Sequence, residues 1–260
     1  MNNKGSLVNV GLGMTLGSHI SPLSRSYIEN ADVVFVAASN KLVEQWVETM
    51  NSDVRSLQGF YDEGTSRMVT YKNMVNAIMT EVRAGKNVCG AFYGHPGVFA
   101  WAPHETIRIA KQEGFHAHMQ AGISAEDCLY ADLGIDPGKH GCAHYEASQF
   151  MFKKKIVDPT AYLVLWQVAV AGDKTLAKFS ITSDYKQILV NMLLKIYPSD
   201  HLITLYECAV LPIENARIEK IKLENLAKAD VSLKTTVLIP PCKEPEDNIE
   251  IIQEIEKIKK

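Results

Sequence analysis

The sequence predicts an α/β protein with a parallel sheet in its N-terminal half and a mixed sheet in its C-terminal half. Nearly unbroken apolar runs, such as Val33-Val34-Phe35-Val36-Ala37-Ala38, suit parallel strands covered on both faces. Over residues 1–119 such runs alternate with segments of helical periodicity, the pattern of an open parallel sheet with right-handed crossovers. From residue 120 the strands are more widely spaced and no longer alternate with helices one for one. The expected organisation is an α/β domain over 1–119, a second α/β domain over 120–242 and an amphipathic tail over 243–260.

In chain order, Ser6–Val10 reads as the first strand, closed by the loop Gly11-Leu12-Gly13-Met14-Thr15-Leu16-Gly17. That loop lacks both the full G-x-G-x-x-G spacing and the Gly-Lys-Ser/Thr of a P-loop, so alone it is a weak nucleotide signal. Ser21-Pro22 is a cap and first-turn pair for a helix reaching Ala31, and Asp32–Ala38 is the second strand. A helix follows over Asn40–Met50, with Leu42, Val43, Trp46, Val47 and Met50 at helical spacing, and then the polar loop Gly59–Arg67. The helix from about Ser66 to Ala84 places Arg67 and Tyr71, four apart, on one face at its entrance. A strand over Asn87–Phe92, a helix over His104–Glu113 and a short strand over Phe115–Met119 complete the first half. Ser124 with Asp127 three residues on reads as a capping box for a helix through Leu133. The second half holds strands at Tyr162–Val168, His201–Tyr206, Arg217–Leu223 and Thr235–Ile239, with a helix at Asp184–Tyr197. In the tail, Ile249, Ile251, Ile252, Ile255 and Ile258 among glutamates and lysines predict an amphipathic helix packed on its own domain.

Bulk properties exclude several functions. The 260 residues are 47% hydrophobic and 22% charged with a formal net charge of -3, which gives no electrostatic footprint for nucleic acid. Five scattered cysteines without a Cys-x-x-Cys pair support neither a disulfide framework nor a zinc site, and no histidine pair has metal spacing. The start lacks the apolar core of a signal peptide and no run approaches transmembrane length, so a cytoplasmic protein without a membrane partner is expected.

The densest candidate for chemistry is Tyr93-Gly94-His95-Pro96-Gly97-Val98-Phe99, a Gly/Pro turn between a strand and a helix. It lies at a strand's carboxyl end, where α/β sheets bind ligands, and its glycines admit a ligand close to the backbone. Taken alone, the stretch also fits an ordinary strand-to-helix turn.

Three segments together change that reading: Val10-Gly11-Leu12-Gly13 with Ala31-Asp32-Val33-Val34, Tyr93 to Val98, and Ala121-Gly122-Ile123-Ser124-Ala125. They resemble the tetrapyrrole-methylase superfamily of S-adenosylmethionine-dependent methyltransferases. The superfamily's usual Gly-Asp-Pro and Pro-Gly-Ile-Ser are altered, with His95 in place of the aspartate and Ala121 in place of the proline. The match is closer to the borosin branch, which methylates backbone amide nitrogens of a ribosomal peptide. It runs through Phe60-Tyr61-Asp62, Arg67, Tyr71, Tyr93 to Phe99, Gly122 to Asp127, Tyr145-Glu146-Ala147, Trp166-Gln167-Val168 and Thr235-Thr236 to Pro240-Pro241. The chain stops soon afterwards in an Ile/Glu/Lys-rich tail, so it looks like the split bacterial type with the precursor as a separate chain.

The resemblance implies a two-domain tetrapyrrole-methylase-like fold with S-adenosylmethionine in the cleft between the domains and S-adenosylhomocysteine as product. It also implies a homodimer, extending to a heterotetramer with two precursors. Cofactor contacts would come from Tyr93, His95, Val98, Ala100, Ser124, Ala125, Gln167, Cys208, Ala209, Thr235 and Thr236, with no metal. Tyr61, Arg67, Tyr71 and Tyr93 would carry the chemistry: Tyr71 or Tyr61 as base aided by the Arg67 guanidinium, Tyr93 near the peptide carbonyl and cofactor. Tyr71 and Arg67 also fit a core edge and a helix surface. The alternatives in function are methylation of a tetrapyrrole or another small molecule, and a peptide-binding module without turnover.

Overall fold

The computed structural model describes residues 5–62 and 64–258. Met1–Lys4, which hold most of the stretch read for a signal peptide, and Glu63 and Lys259–Lys260 lie outside the described residues. The first half runs β1 (Ser6–Gly11), α1 (Pro22–Asn30), β2 (Val33–Ala37), α2 (Lys41–Glu48), β3 (Val54–Ser56), α3 (Arg67–Arg83), β4 (Asn87–Phe92), α4 (Trp101–Gln112) and β5 (His116–Met119). The second comprises α5 (Ala125–Leu133), α6 (Pro137–His140), β6 (Cys142–Glu146), α7 (Ala147–Phe152), β7 (Tyr162–Trp166), α8 (Ser183–Leu193), β8 (Leu202–Glu207), β9 (Arg217–Lys222), β10 (Thr236–Ile239) and α9 (Ile249–Ile258).

The strands of the first sheet are all parallel, in the order β3-β2-β4-β1-β5. Alternation along β2 explains its unbroken apolar run. Val33, Phe35 and Ala37 pack with Met74, Ile78 and Val82 of α3, while Val34 and Val36 pack on the other face with Ile28, Val43 and Val47. Asn9 lies fully buried in the middle of β1, and its Nδ2 donates to the Pro103 carbonyl at 2.9 Å and to Thr106 Oγ1 at 3.0 Å, tying α4 to the sheet. The second sheet has the order β6-β7-β10-β8-β9, parallel at β6–β7 and antiparallel elsewhere, which is the mixed sheet expected. Helix α5 packs Cys128 and Leu129 against Val164, Trp166 and Leu238 of this sheet. The two halves join where Thr15 Oγ1 donates to the Ala209 carbonyl (3.1 Å) and Leu16 N–H to the Val210 carbonyl (2.9 Å).

Several elements differ from expectation. Strand β3 and the run α6–β6–α7 carry too little apolar periodicity to be read from sequence. Helix α4 begins three residues earlier than His104, and α8 stops at Leu193 rather than Tyr197. The tail forms its helix, but α9 is not packed on its own domain. None of its described side chains is buried, and Ile249, Ile251, Ile252 and Ile255 are 41–54% exposed. Among the described residues no helix is long and apolar enough to cross a membrane.

Candidate active site

The carboxyl ends of β1 and β4 meet through glycines. Gly13 N–H donates to the Gly94 carbonyl at 3.2 Å, and Gly94 N–H donates back to the Gly13 carbonyl at 2.8 Å. A methyl on Gly11 would lie 2.5 Å from the Gly94 oxygen and 2.7 Å from Gly122 Cα, so three loops touch as bare backbone. Next to this junction is a cavity of about 520 Å³ lined from both sheets, within the range of about 300–1,000 Å³ usual for small-molecule sites.

Tyr61, Arg67, Tyr71 and Tyr93 all line it. Tyr61 follows a 3-10 turn at Gln58–Phe60, Arg67 is the first residue of α3, and Tyr71 lies one turn further on. The Tyr71 ring meets Tyr61 edge-on at 6.5 Å and stacks on Trp101 at 6.3 Å, which holds its plane. Tyr93 N–H donates to the Ala37 carbonyl at 2.9 Å, anchoring the turn to β2. Arg67 N–H donates to the Leu176 carbonyl at 2.8 Å and its Nη2 to the Lys178 carbonyl at 2.7 Å.

The electrostatics run against the expected activation of Tyr61. Its side chain is 37% exposed to the cavity, yet desolvation of the phenol pushes it well above the usual range, the neighbouring Tyr71 and Tyr93 add to this, and Arg67 only partly opposes them. Tyr93 is raised too, by burial first and then by Tyr71, again against Arg67. Both therefore stay protonated near neutral pH and present O–H donors.

Of the predicted cofactor contacts, His95, Val98, Ala100, Ser124, Ala125, Gln167, Cys208 and Thr236 line the same cavity. His95 Nδ1 accepts from Gly97 N–H at 2.8 Å, so in its neutral form the ring carries its proton on Nε2. The Ser124 hydroxyl is engaged in the expected capping box, donating to Asp127 Oδ2 at 2.7 Å and accepting from Asp127 N–H at 3.4 Å. Gln167 sits at φ 58° after β7, a left-handed conformation uncommon for a residue other than glycine. Ala209 and Thr235 lie outside the lining. The Ala209 carbonyl is taken by Thr15, and Thr235, fully buried, donates to Glu207 Oε1 and accepts from Ser232 N–H.

The cavity also holds residues that lie in the matched segments but to which the sequence gave no role. Phe99, at φ 49°, is half exposed and packs on Trp166 at 5.6 Å. Glu126 heads a network: Trp166 Nε1 donates to His144 Nδ1 (3.3 Å), leaving the proton on Nε2 to face Glu126 Oε1 at 3.2 Å, and Tyr130 O–H donates to the same oxygen at 3.0 Å. Burial lowers the His144 pKa, with Glu126 opposing. Aromatic and acidic side chains on separate elements carry no spacing signal, so only the fold brings them together.

Residues 6–227 match the model of the tetrapyrrole (corrin/porphyrin) methylases. The chain belongs to this family. Solved tetrapyrrole methylases share its fold: a cobalt precorrin-4 methyltransferase is 16% identical with a TM-score of 0.64, covering 90% of this chain and 94% of its own. A uroporphyrin-III-C-methyltransferase from Thermus thermophilus is 18% identical with a TM-score of 0.63, covering 94% and 99%. In sequence the chain is much more similar to fungal methyltransferase/cyclic peptide precursor proteins. It is 39% identical to the gymnopeptides precursor of Gymnopus fusipes over 97% of this chain, and 37% identical to the omphalotin A precursor of Omphalotus olearius over 97%. This tetrapyrrole methylase spans 61% of the length of each of those two relatives.

Proposed function

We propose that this chain is an S-adenosylmethionine-dependent methyltransferase that methylates backbone amide nitrogens of a ribosomal precursor peptide repeatedly, the precursor being a separate chain. The observation that carries the reading is the convergence of Tyr61 from the turn before α3, Arg67 and Tyr71 from the start of α3, and Tyr93 from the end of β4 on one cavity. The same cavity fits the cofactor. Its volume of about 520 Å³ lies in the range of about 300–1,000 Å³ usual for small-molecule sites, and Gln167 offers amide donors and acceptors for an adenine edge. Tyr93, His95, Val98, Ala100, Ala125, Gln167, Cys208 and Thr236 would hold it. When bound, S-adenosylmethionine supplies an electrophilic methyl on a sulfonium.

The chain's own residues must then make an amide nitrogen nucleophilic. Its lone pair is delocalised into the carbonyl, so losing the N–H proton places charge on the carbonyl oxygen. Arg67 and the protonated Tyr61 and Tyr93 are the donors for that oxygen, fixed before reaction rather than reorganised during it. Tyr71, held between Tyr61 and Trp101, is then the group that accepts the proton.

The test incubates the purified protein with S-adenosylmethionine and the precursor peptide encoded beside its gene. Successive methyl-unit mass shifts, located by fragmentation on backbone nitrogens, support the proposal. Peptide binding without any mass change would point to a module without turnover, and methylation of a tetrapyrrole alone would move the substrate to the small-molecule class. We further propose a cytoplasmic homodimer binding two precursors, which light scattering of the mixed sample checks.

A further inference from the structure

Arg67 is steered by a segment more than a hundred residues away in sequence. The carbonyls of Leu176 and Lys178, which accept from its backbone N–H and its Nη2, both lie between β7 and α8. That segment winds around one carboxylate. Asp173 is 4% exposed and accepts four hydrogen bonds: Oδ1 from the Thr175 N–H (2.9 Å) and hydroxyl (2.6 Å), Oδ2 from the N–H groups of Ala177 (3.1 Å) and Lys178 (3.0 Å). Within the loop Leu176 adopts φ 55°, a left-handed conformation that a leucine keeps only when its surroundings enforce it. The next residue after Lys178, Phe179, lines the same cavity as Arg67.

We propose that Asp173 is a positioning residue for Arg67, its loop presenting two carbonyls that fix where the guanidinium faces the cavity. The inference rests on the reading of Arg67 as a donor to the peptide carbonyl. A guanidinium has five N–H donors in a planar fork, so tethering Nη2 to Lys178 sets the direction of the others. All four of the hydrogen bonds Asp173 accepts come from N–H or O–H donors. Asparagine at this position would set an NH2 group against N–H donors. The loop would open, and Arg67 would lose both tethers while its own identity is unchanged.

The test is a double-mutant cycle on the full chain with S-adenosylmethionine and precursor peptide, using Asp173→Asn, Arg67→Ala and the pair. Asp173→Asn is expected to lower kcat by about 10²-fold, as a misplaced donor does, with calorimetric affinity for S-adenosylmethionine unchanged. In the Arg67→Ala background the same change is expected to alter kcat by no more than about twofold. Equal losses in both backgrounds, or a full rate in Asp173→Asn, overturn the proposal. A full rate in Arg67→Ala overturns the underlying reading of Arg67 as well, so the two failures are told apart. Should Asp173→Asn not fold, Thr175→Val, which removes the hydroxyl's bond to Asp173 Oδ1 and the one it accepts from Ala177 N–H but keeps the carboxylate, carries the same cycle with a smaller loss.

Discussion

Gly90 faces Asn9 across the pairing of β1 with β4, and a methyl there would stand 2.4 Å from Asn9 Oδ1. Asn9 has no room to yield, because its amide nitrogen already holds Pro103 and Thr106 at the head of α4. Gly90→Ala is therefore expected to destabilise the fold by about 1–3 kcal/mol, as overpacking does, read as a lower midpoint in urea unfolding. At the cavity the expected effects are on rate. Tyr71→Phe keeps the ring between Tyr61 and Trp101 and removes only the hydroxyl, so kcat should fall by about 10²–10⁴-fold with the circular dichroism unchanged. An undiminished rate in that variant would sink the assignment of Tyr71 as base.

Among the elements, α3 matters most to the site because its first two turns carry Arg67 and Tyr71 while its interior packs Met74, Ile78 and Val82 into the first sheet's core. The catalytic face of the helix is thereby held by the same burial that holds the fold. Helix α9 is the opposite case. It presents an isoleucine face with no described side chain buried, so no packing against the described residues rewards its formation. Removing residues 246–260 should accordingly leave the midpoint of thermal unfolding nearly unchanged, as surface changes within about 0.5 kcal/mol do. A drop of several degrees on truncation would show that α9 packs against the domain in solution.

At the scale of the whole molecule, each half holds a partly buried histidine that resists protonation. His118 on β5 has Nδ1 buried without a partner, and burial lowers its pKa, with the charges of His116 and Lys111 adding to this. His144 on β6 is lowered by burial against the pull of Glu126. Both folded values lie below the ordinary value of about 6.5, so between the two the unfolded chain binds more protons. Stability is then fully present above about pH 6.5 and is lost as the pH falls through the folded values. Thermal melts from pH 7 to pH 5 should show this decline, and His118→Asn with His144→Gln should flatten it.

The sequence by itself determined the α/β class, the two kinds of sheet and the segments that feed the cavity. Strands such as β2 are apolar on both faces, and such runs declare themselves without knowledge of their neighbours. The Ser124 cap was legible for the same reason, since it rests on contacts a few residues apart. What only the tertiary structure decided are the relations across the chain. The Tyr61 and Tyr93 phenols are raised rather than lowered because desolvation outweighs the charge of Arg67, a balance that no spacing of residues encodes. Arg67 itself is directed by carbonyls of the Asp173 loop, and Glu126 joins His144 and Trp166 through hydrogen bonds between separate elements. Local propensity names the residues. Desolvation and long-range hydrogen bonding, which exist only once the two halves close on the cavity, assign what each of them is able to do.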